Sequence, residues 1–214
     1  MKSNQEYKNR ALEALKGNWA SAVVESIILV AASYFLAVPY VSTYLYQFIS
    51  VMWWGLGVGY VGFFFVYMPL NAGVTYAYSQ LYMQSDGRVA GNTLDNMAGN
   101  YLKVVWTMFL YCLYTFLWSL LFLIPGIIKA YSYALTPYIL KDNPELSANE
   151  MIDLSRAMMR GHKFDLFCLH LSFIGWAILC IFTGGIGTLW LMPYMLTAQA
   201  AFYQDVRTEY MSKQ

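Results

Sequence analysis

The sequence has 214 residues, of which 59% are hydrophobic and 12% charged, whereas a soluble domain carries about 25% charged residues. So few charges cannot cover a water-soluble surface without leaving apolar patches larger than the few hundred Å² that soluble monomers tolerate. The composition therefore excludes an ordinary soluble enzyme and predicts an integral membrane protein.

The charge balance and the cysteines exclude two further classes. The formal net charge is +1, which provides no excess of cations for binding phosphates, so we expect no nucleic-acid partner. Cys112, Cys168 and Cys180 lie in apolar runs without C-x-x-C spacing. Neither a zinc ribbon nor a disulfide framework fits this pattern, and we expect no metal and no other cofactor.

Six apolar segments have the composition of membrane-spanning helices, which need about 20 residues to cross about 30 Å of hydrocarbon. The fourth is the weakest, because it is short, contains Lys129, and has near its end Pro137, which lacks the N–H that would continue the helical hydrogen bonds. We predict an all-α fold in which residues 1–214 form a single integral membrane domain, a multi-pass transmembrane helical bundle of about six spans arranged as three helical hairpins. The segments are approximately 19–38, 48–68, 101–124, 127–140, 164–183 and 186–202.

The positions of Lys and Arg predict the orientation, because basic loops are retained on the cytoplasmic side. Of the 13 basic residues, 12 lie in four regions. These regions are the stretch before the first segment, the stretch after the sixth, the connection between the second and third segments, and the connection between the fourth and fifth. We therefore expect a protein of the bacterial cytoplasmic (inner) membrane with both termini in the cytoplasm. The exception is Lys129, which this topology places nearer the outer end of its segment.

The second segment of each predicted hairpin contains a proline or is directly followed by one, in the pairs Met68-Pro69, Thr136-Pro137 and Met192-Pro193. An internal repeat explains this pattern, and so does the general frequency of proline in membrane helices. Residues 52–85 carry no charge and, as one helix, would measure about 51 Å, too long for one untilted crossing. We expect a break near residues 69–73, with residues 69–84 either inside the bilayer or at its interface.

Between the fourth and fifth segments the pattern becomes that of a soluble helix. Ser147-Ala148-Asn149-Glu150 has the form of a capping box, which predicts a cytoplasmic amphipathic helix over approximately residues 147–160. Two interpretations stay open, a helix lying on the inner membrane surface and a solvated linker helix packed on the protein.

Several stretches resemble one bacterial family. They are Leu-Ile-Pro-Gly-Ile-Ile-Lys-Ala-Tyr at 123–131, Asp-Asn-Pro-Glu-Leu-Ser at 142–147 and Met-Met-Arg-Gly-His-Lys at 158–163. Together with the segment up to Val206, they are similar to the integral membrane family named domain of unknown function 975, and the likeness is looser before Leu123. The resemblance implies a multi-pass bacterial membrane protein and brings no known activity, substrate or catalytic residue.

Glu25 and Lys129 are the only formal charges well inside apolar segments, where an ionisable group is a functional candidate. Lys129 begins a polar stripe with Ser132, Tyr133 and Thr136 at i+3, i+4 and i+7, which share one helix face. These five residues are our candidates for ligand binding, as a polar pathway or as a site for an anionic group such as a lipid phosphate. The alternative is that Lys129 reaches the outer interface and that Glu25 is paired or protonated.

No catalytic constellation is recognisable. The G-x-G-x-x-G letters at 57–62 lack the strand and helix that a dinucleotide site requires, and Gly55 with Gly59 fits close helix packing better. His162 and His170 are eight residues apart, unlike the i and i+4 spacing of helical metal ligands.

These observations favour a non-enzymatic protein that is transporter-like, lipid-interacting or an accessory subunit of a membrane complex. The alternative function is a membrane enzyme acting on a lipid headgroup or small amphiphile through Lys129, Glu25 or the region of His162. The expected partners are membrane lipids and a second copy of the chain or another membrane protein.

Overall fold

The structure is a computed structural model that describes residues 2–46, 61–85, 87–98, 100–121 and 123–213. These residues form helices joined by turns, and no strand occurs among them, which confirms the all-α prediction for this part of the chain. Most of the predicted segment 48–68 and the glycines at 55–59 lie outside the described residues.

The described helices follow one another in chain order with short connections. A π-helical turn, Phe63–Tyr67, leads directly into α3. The helices are α1 Asn4–Leu15, α2 Trp19–Tyr46, α3 Met68–Gln84, α4 Val89–Ala98, α5 Tyr101–Leu121, α6 Leu123–Tyr133, α7 Thr136–Asp142, α8 Ala148–Met158, α9 Lys163–Leu171, α10 Ile174–Phe182 and α11 Thr188–Met211.

Two described segments are long and apolar enough to cross a membrane, Tyr101–Leu120 and Lys163–Phe182. A third is obtained if α1 and the first part of α2, which meet at a bend of 101°, are counted as one broken span. The described helices are therefore compatible with a membrane protein that crosses two or three times, and the six predicted crossings are not confirmed.

Large apolar side chains are exposed along these segments. On α5 and α6 they include Phe116, Leu120 and Ile124, and on α10 Ile181 and Phe182 are 74% and 83% exposed. Contiguous apolar surface of this kind is unfavourable in water and is typical of a surface that contacts lipid or another protein.

The close contact between α5 and α6 depends on a glycine. A Cβ atom at Gly126 would lie 2.8 Å from the Cα atom of Ser119, so any larger residue would force the two helices apart. The exposed apolar residues of α5 and α6 therefore belong to one tight hairpin.

The predicted fourth segment, 127–140, consists of two helices with a turn at residues 134–135. Pro137 occupies the first turn of α7, where the missing N–H leaves no helical hydrogen bond unmade. The buried hydroxyl of Ser155 fills the break, donating to the carbonyl of Ser132 over 3.0 Å and accepting from the N–H of Leu135 over 3.2 Å. The helix therefore bends because α8 supplies substitutes for its lost backbone bonds.

Helix α8 begins with the predicted capping box. The N–H of Ser147 donates to the Glu150 carboxylate over 2.7 Å, and this hydrogen bond lowers the pKa of Glu150. The apolar face, with Met151 and Ile152 buried, packs against α5, α6 and α7. Of the two interpretations of this helix, the structure favours packing on the protein.

A single carboxylate joins three helices of the core. Asp142, at the end of α7, accepts hydrogen bonds from Tyr76 of α3 over 2.8 Å and Tyr203 of α11 over 2.5 Å. The Arg207 guanidinium of α11 lies 2.9 Å from the same carboxylate, whose side chain is 6% exposed. Burial and the nearby carboxylate raise the pKa of both phenols, so they stay protonated and donate.

Helix α1 is attached to the same end of α11. Arg10 contacts both oxygens of Asp205 at 3.2 Å, and the ring centroids of Tyr7 and Phe202 are 5.7 Å apart. The ammonium of Lys8 donates to the carbonyl of Ser172 over 2.6 Å, at the turn between α9 and α10. The described start of the chain is thus held against its C-terminal helices.

We expect Asp142→Asn to lower the free energy of unfolding by about 2 kcal/mol, because it leaves the partly exposed Arg207 charge without its buried partner. Denaturant titration of the purified protein in detergent measures this change. Asp153→Asn is the matched control, since Asp153 is 64% exposed and its pair with Arg156 is solvated, and it should cost less than about 0.5 kcal/mol. Equal losses for the two variants would contradict a central role for Asp142.

Candidate functional site

Lys129 lies on α6 beside an aromatic ring of α5. Its ammonium nitrogen is 4.2 Å from the centroid of the Trp118 ring, the geometry of a cation–π contact. Because Trp118 and Lys129 lie on the two helices of the tight hairpin, the contact fixes the ammonium near its exposed apolar surface. Lys129 is partly exposed and remains accessible to an anion.

The structure also shows which other charges lie near Lys129. Arg156 and Lys163 are close enough for their positive charges to act on it. Two residues further along α6, Tyr131 packs on Phe167 with ring centroids 5.9 Å apart, and its hydroxyl lies 3.3 Å from His170 Nδ1. Lys129 therefore lies within the electrostatic range of basic residues of α8 and α9.

We name Lys129, Arg156 and Lys163 the basic cluster. The carboxylate of Asp153 lies 3.1 Å from the guanidinium of Arg156 and compensates one of the three charges. The cluster is bordered by exposed apolar side chains on both sides, Ile128 on α6 and Phe164 on α9. Its chemistry is that of an anion site at the edge of an apolar surface.

The other residues of the predicted polar stripe point into the protein. Ser132, Tyr133 and Thr136 are all buried. The hydroxyl of Ser132 donates to the Ile128 carbonyl over 2.7 Å, and the Tyr133 ring packs edge-on against Tyr111. Only the first residue of the stripe, Lys129, thus reaches the surface, and the structure does not form a continuous polar channel from these side chains.

Glu25 lies far from this cluster in the fold, on α2 against α3 and α4. Its side chain is fully buried, and neither carboxylate oxygen has a hydrogen-bond partner among the described residues. Its polar neighbours are Thr93 and Tyr78. Glu25 and Lys129 therefore do not pair.

An open cavity of about 480 Å³ lies between the end of α1, the start of α2, and helices α10 and α11. Its lining holds no carboxylate, histidine or basic side chain, so it suits contact with hydrocarbon and not acid–base chemistry. It is lined by Leu12, Trp19, Trp176, Leu179, Cys180, Thr183, Gly187, Trp190, Leu191 and Tyr194.

The two histidines have separate surroundings. His162 is near Asp165 and Glu209, at 3.5 and 3.6 Å, whereas His170 faces Tyr131. In the part of the chain that the structure describes, no group of three metal-ligating side chains comes together.

Sequence reasoning missed three features of these sites. The Asp142 contacts join residues more than 60 positions apart, and its location at the end of an apolar segment was the only local signal. No sequence pattern around Ser155 indicates that its side chain contacts another helix. Trp19, Trp176 and Trp190 fit the usual composition of membrane interfaces, which hid their convergence on one cavity.

Comparison with known protein families finds a match over part of the chain. The profile of the family described as "Protein of unknown function (DUF975)" matches residues 107–210. This range contains Lys129, Arg156 and Lys163 as well as Asp142, and it does not reach Glu25. No curated protein and no solved structure matches the chain.

We expect Ser155→Ala to lower the free energy of unfolding by about 2 kcal/mol, because it leaves the buried N–H of Leu135 without its acceptor. Thr208→Ala is the control, since its exposed hydroxyl donates only to a carbonyl of its own helix, and it should change stability by less than about 0.5 kcal/mol. Thermal and denaturant unfolding in detergent report both values. A Ser155→Ala protein as stable as the control would show that the bend does not depend on this hydroxyl.

Proposed function

Since the chain belongs, over residues 107–210, to the DUF975 family, whose description assigns no activity, we propose its function from the site itself. We propose that it is a multi-pass membrane protein that binds the anionic headgroup of a phospholipid at the basic cluster. The observation that carries this proposal is that Lys129, held over the Trp118 ring at the border of an exposed apolar surface, is acted on by the positive charges of Arg156 and Lys163 from two other helices.

The charges of the cluster support an anionic ligand. Three cations of different helices repel one another, and Asp153 compensates only Arg156. A phosphate between them would relieve this repulsion and accept charge-assisted hydrogen bonds, which are stronger than those between neutral groups.

The surface beside the cluster supports a lipid as the source of that anion. Phe164 is 72% exposed next to Lys163, and Ile128 is 48% exposed next to Lys129. A free phosphate would leave these side chains in water, whereas the acyl chains of a bound lipid would cover them. The headgroup and the hydrocarbon of one molecule thus match two adjacent surfaces.

The same cluster bears on topology. If Lys129 lies on the same side of the membrane as Lys163, all 13 basic residues can lie on one face. By the positive-inside rule this is the cytoplasmic face of a bacterial inner membrane, and both termini are then inside. Six crossings require the tip of the α5–α6 hairpin to be outside. The position of Lys129 favours instead a hairpin that enters and leaves from the cytoplasmic side.

We expect Lys129→Gln to weaken binding of phosphatidylglycerol about fivefold, since one basic side chain near an anionic membrane contributes about 1 kcal/mol. The measurement is the competition of phosphatidylglycerol against phosphatidylcholine for the purified protein in mixed micelles. Lys16→Gln removes an equal charge from an exposed position outside the cluster and should leave the preference unchanged. A further competition series with inorganic phosphate in place of phosphatidylcholine tests whether the site binds the free anion as well as the lipid.

A wild-type protein that binds both lipids equally would contradict the proposal. So would an equal loss for Lys16→Gln, because the effect would then reflect net charge and not the cluster.

Single cysteines test the topology in cells, after Cys112, Cys168 and Cys180 are replaced by alanine. We expect Arg160→Cys to be protected from a membrane-impermeant maleimide added outside, and Ile186→Cys, in the turn before α11, to react with it. Ile124→Cys, exposed on the α5–α6 hairpin, should be protected if the hairpin enters from the inner side and should react if there are six crossings. Labelling of Arg160→Cys from outside would overturn the proposed orientation.

A further inference from the structure

Glu25 has surroundings that the lipid site does not explain. Its side chain is 0% exposed, and it lies among the buried apolar residues that join α2 to α3 and α4, including Ala22, Leu29 and Val89. A carboxylate transferred into such a position is unfavourable unless other groups neutralise or hydrogen-bond it.

The nearby hydroxyl groups donate their protons elsewhere. Tyr78 donates to the Ala22 carbonyl over 3.0 Å, and Ser26 donates to the same carbonyl over 3.2 Å. Thr93 donates to the Val89 carbonyl over 3.0 Å. Each hydroxyl has a single proton, so none of the three donates to Glu25 while these bonds are made, and Thr93 is the one close enough to turn its proton toward the carboxylate.

No charge among the described residues compensates Glu25 either. Tyr78 of α3 is the titratable side chain that faces it. Helix α4 contributes the neutral Thr93, and the described residues of α11 and of the π-helical turn, which also pack against α2, contribute no charge that acts on it.

A bound metal cation fits less well than a proton. Hard cations take about six or more oxygen ligands, and the described residues bring no second carboxylate to Glu25. A proton needs only the carboxylate itself. The described surroundings of Glu25 therefore fit a proton better than a metal ion.

We propose that Glu25 is a proton-binding site that controls the packing of α2 against α3 and α4. With the proton bound, the neutral carboxylic acid is compatible with the closed, apolar contact of this structure. When the proton leaves to water, the carboxylate must be hydrated, and this requires α2 to separate from α3 and α4. The site is independent of the basic cluster, which lies on other helices, so either proposal can fail alone.

The accessibility of a neighbouring residue tests this coupling. Ser26→Cys places a thiol of nearly the same size next to Glu25, at a position that is 1% exposed, in a background with the natural cysteines replaced by alanine. The full-length protein in lipid nanodiscs is labelled with a water-soluble maleimide from acidic to alkaline pH. Lys16→Cys, which is exposed, serves as the reference for the pH dependence of thiol reactivity itself.

We expect labelling of Ser26→Cys, relative to the reference, to rise at least tenfold across the pH range when Glu25 is present. It should stay low at every pH when the chain also carries Glu25→Gln, which keeps a neutral side chain of the same shape, and the rise should return with Glu25→Asp. The same pH profile with Glu25 and with Glu25→Gln would overturn the proposal.

A second measurement needs no cysteine variant. The infrared spectrum of the protein at neutral pH should contain a protonated-carboxyl band that is absent from Glu25→Gln. Its absence from the wild-type protein would show that Glu25 is ionised in the closed state and would also overturn the proposal.

Discussion

The buried carboxylate of Asp142 is the interaction on which the arrangement of the helices depends. It binds a phenol from α3, a phenol from α11 and the guanidinium of Arg207, so three helices that are distant in the sequence meet at one acceptor. Each of these helices contains one of the three prolines, Pro69, Pro137 or Pro193. The end of α7 is thereby joined to the middle of α3 and to the C-terminal half of α11. Helix α1 is added to α11 through Asp205.

The bend between α6 and α7 connects this polar centre to the basic cluster. Ser155 satisfies the backbone groups that the bend exposes, and the same helix, α8, carries Arg156 one residue later. The element that stabilises the bend therefore also brings a cation toward Lys129. A straight fourth segment would lose this contact with α8, and the proposed anion site would then lose Arg156. The position of the cluster thus follows from backbone hydrogen bonding and not from attraction between its members, which repel one another.

Glu25 and the basic cluster illustrate two ways in which a largely apolar chain holds a charge. Lys129 keeps its ammonium at the surface over the face of Trp118, where water or an anion can reach it. Glu25 is enclosed by α2, α3 and α4, where no described group compensates it. The first arrangement suits a ligand that arrives from outside, and the second suits the smallest ligand available, a proton. The two sites lie on different helices, and only the first lies within the range matched by the family profile.

The sequence by itself determined the helical class, the ends of several helices and the identity of the unusual charges. Hydrophobic periodicity, capping residues and proline are local properties. For this reason the start of α8 at Ala148, with Ser147 as its cap, could be predicted, and Pro137 marked the fourth segment as the weakest. The tertiary structure decided which of these residues meet. Distant positions are joined by the contact of Asp142 with Tyr76 and Tyr203, by the insertion of Ser155 at the turn, and by the approach of Lys163 to Lys129. No local pattern encodes such contacts, because they depend on the directions in which the helices leave their turns.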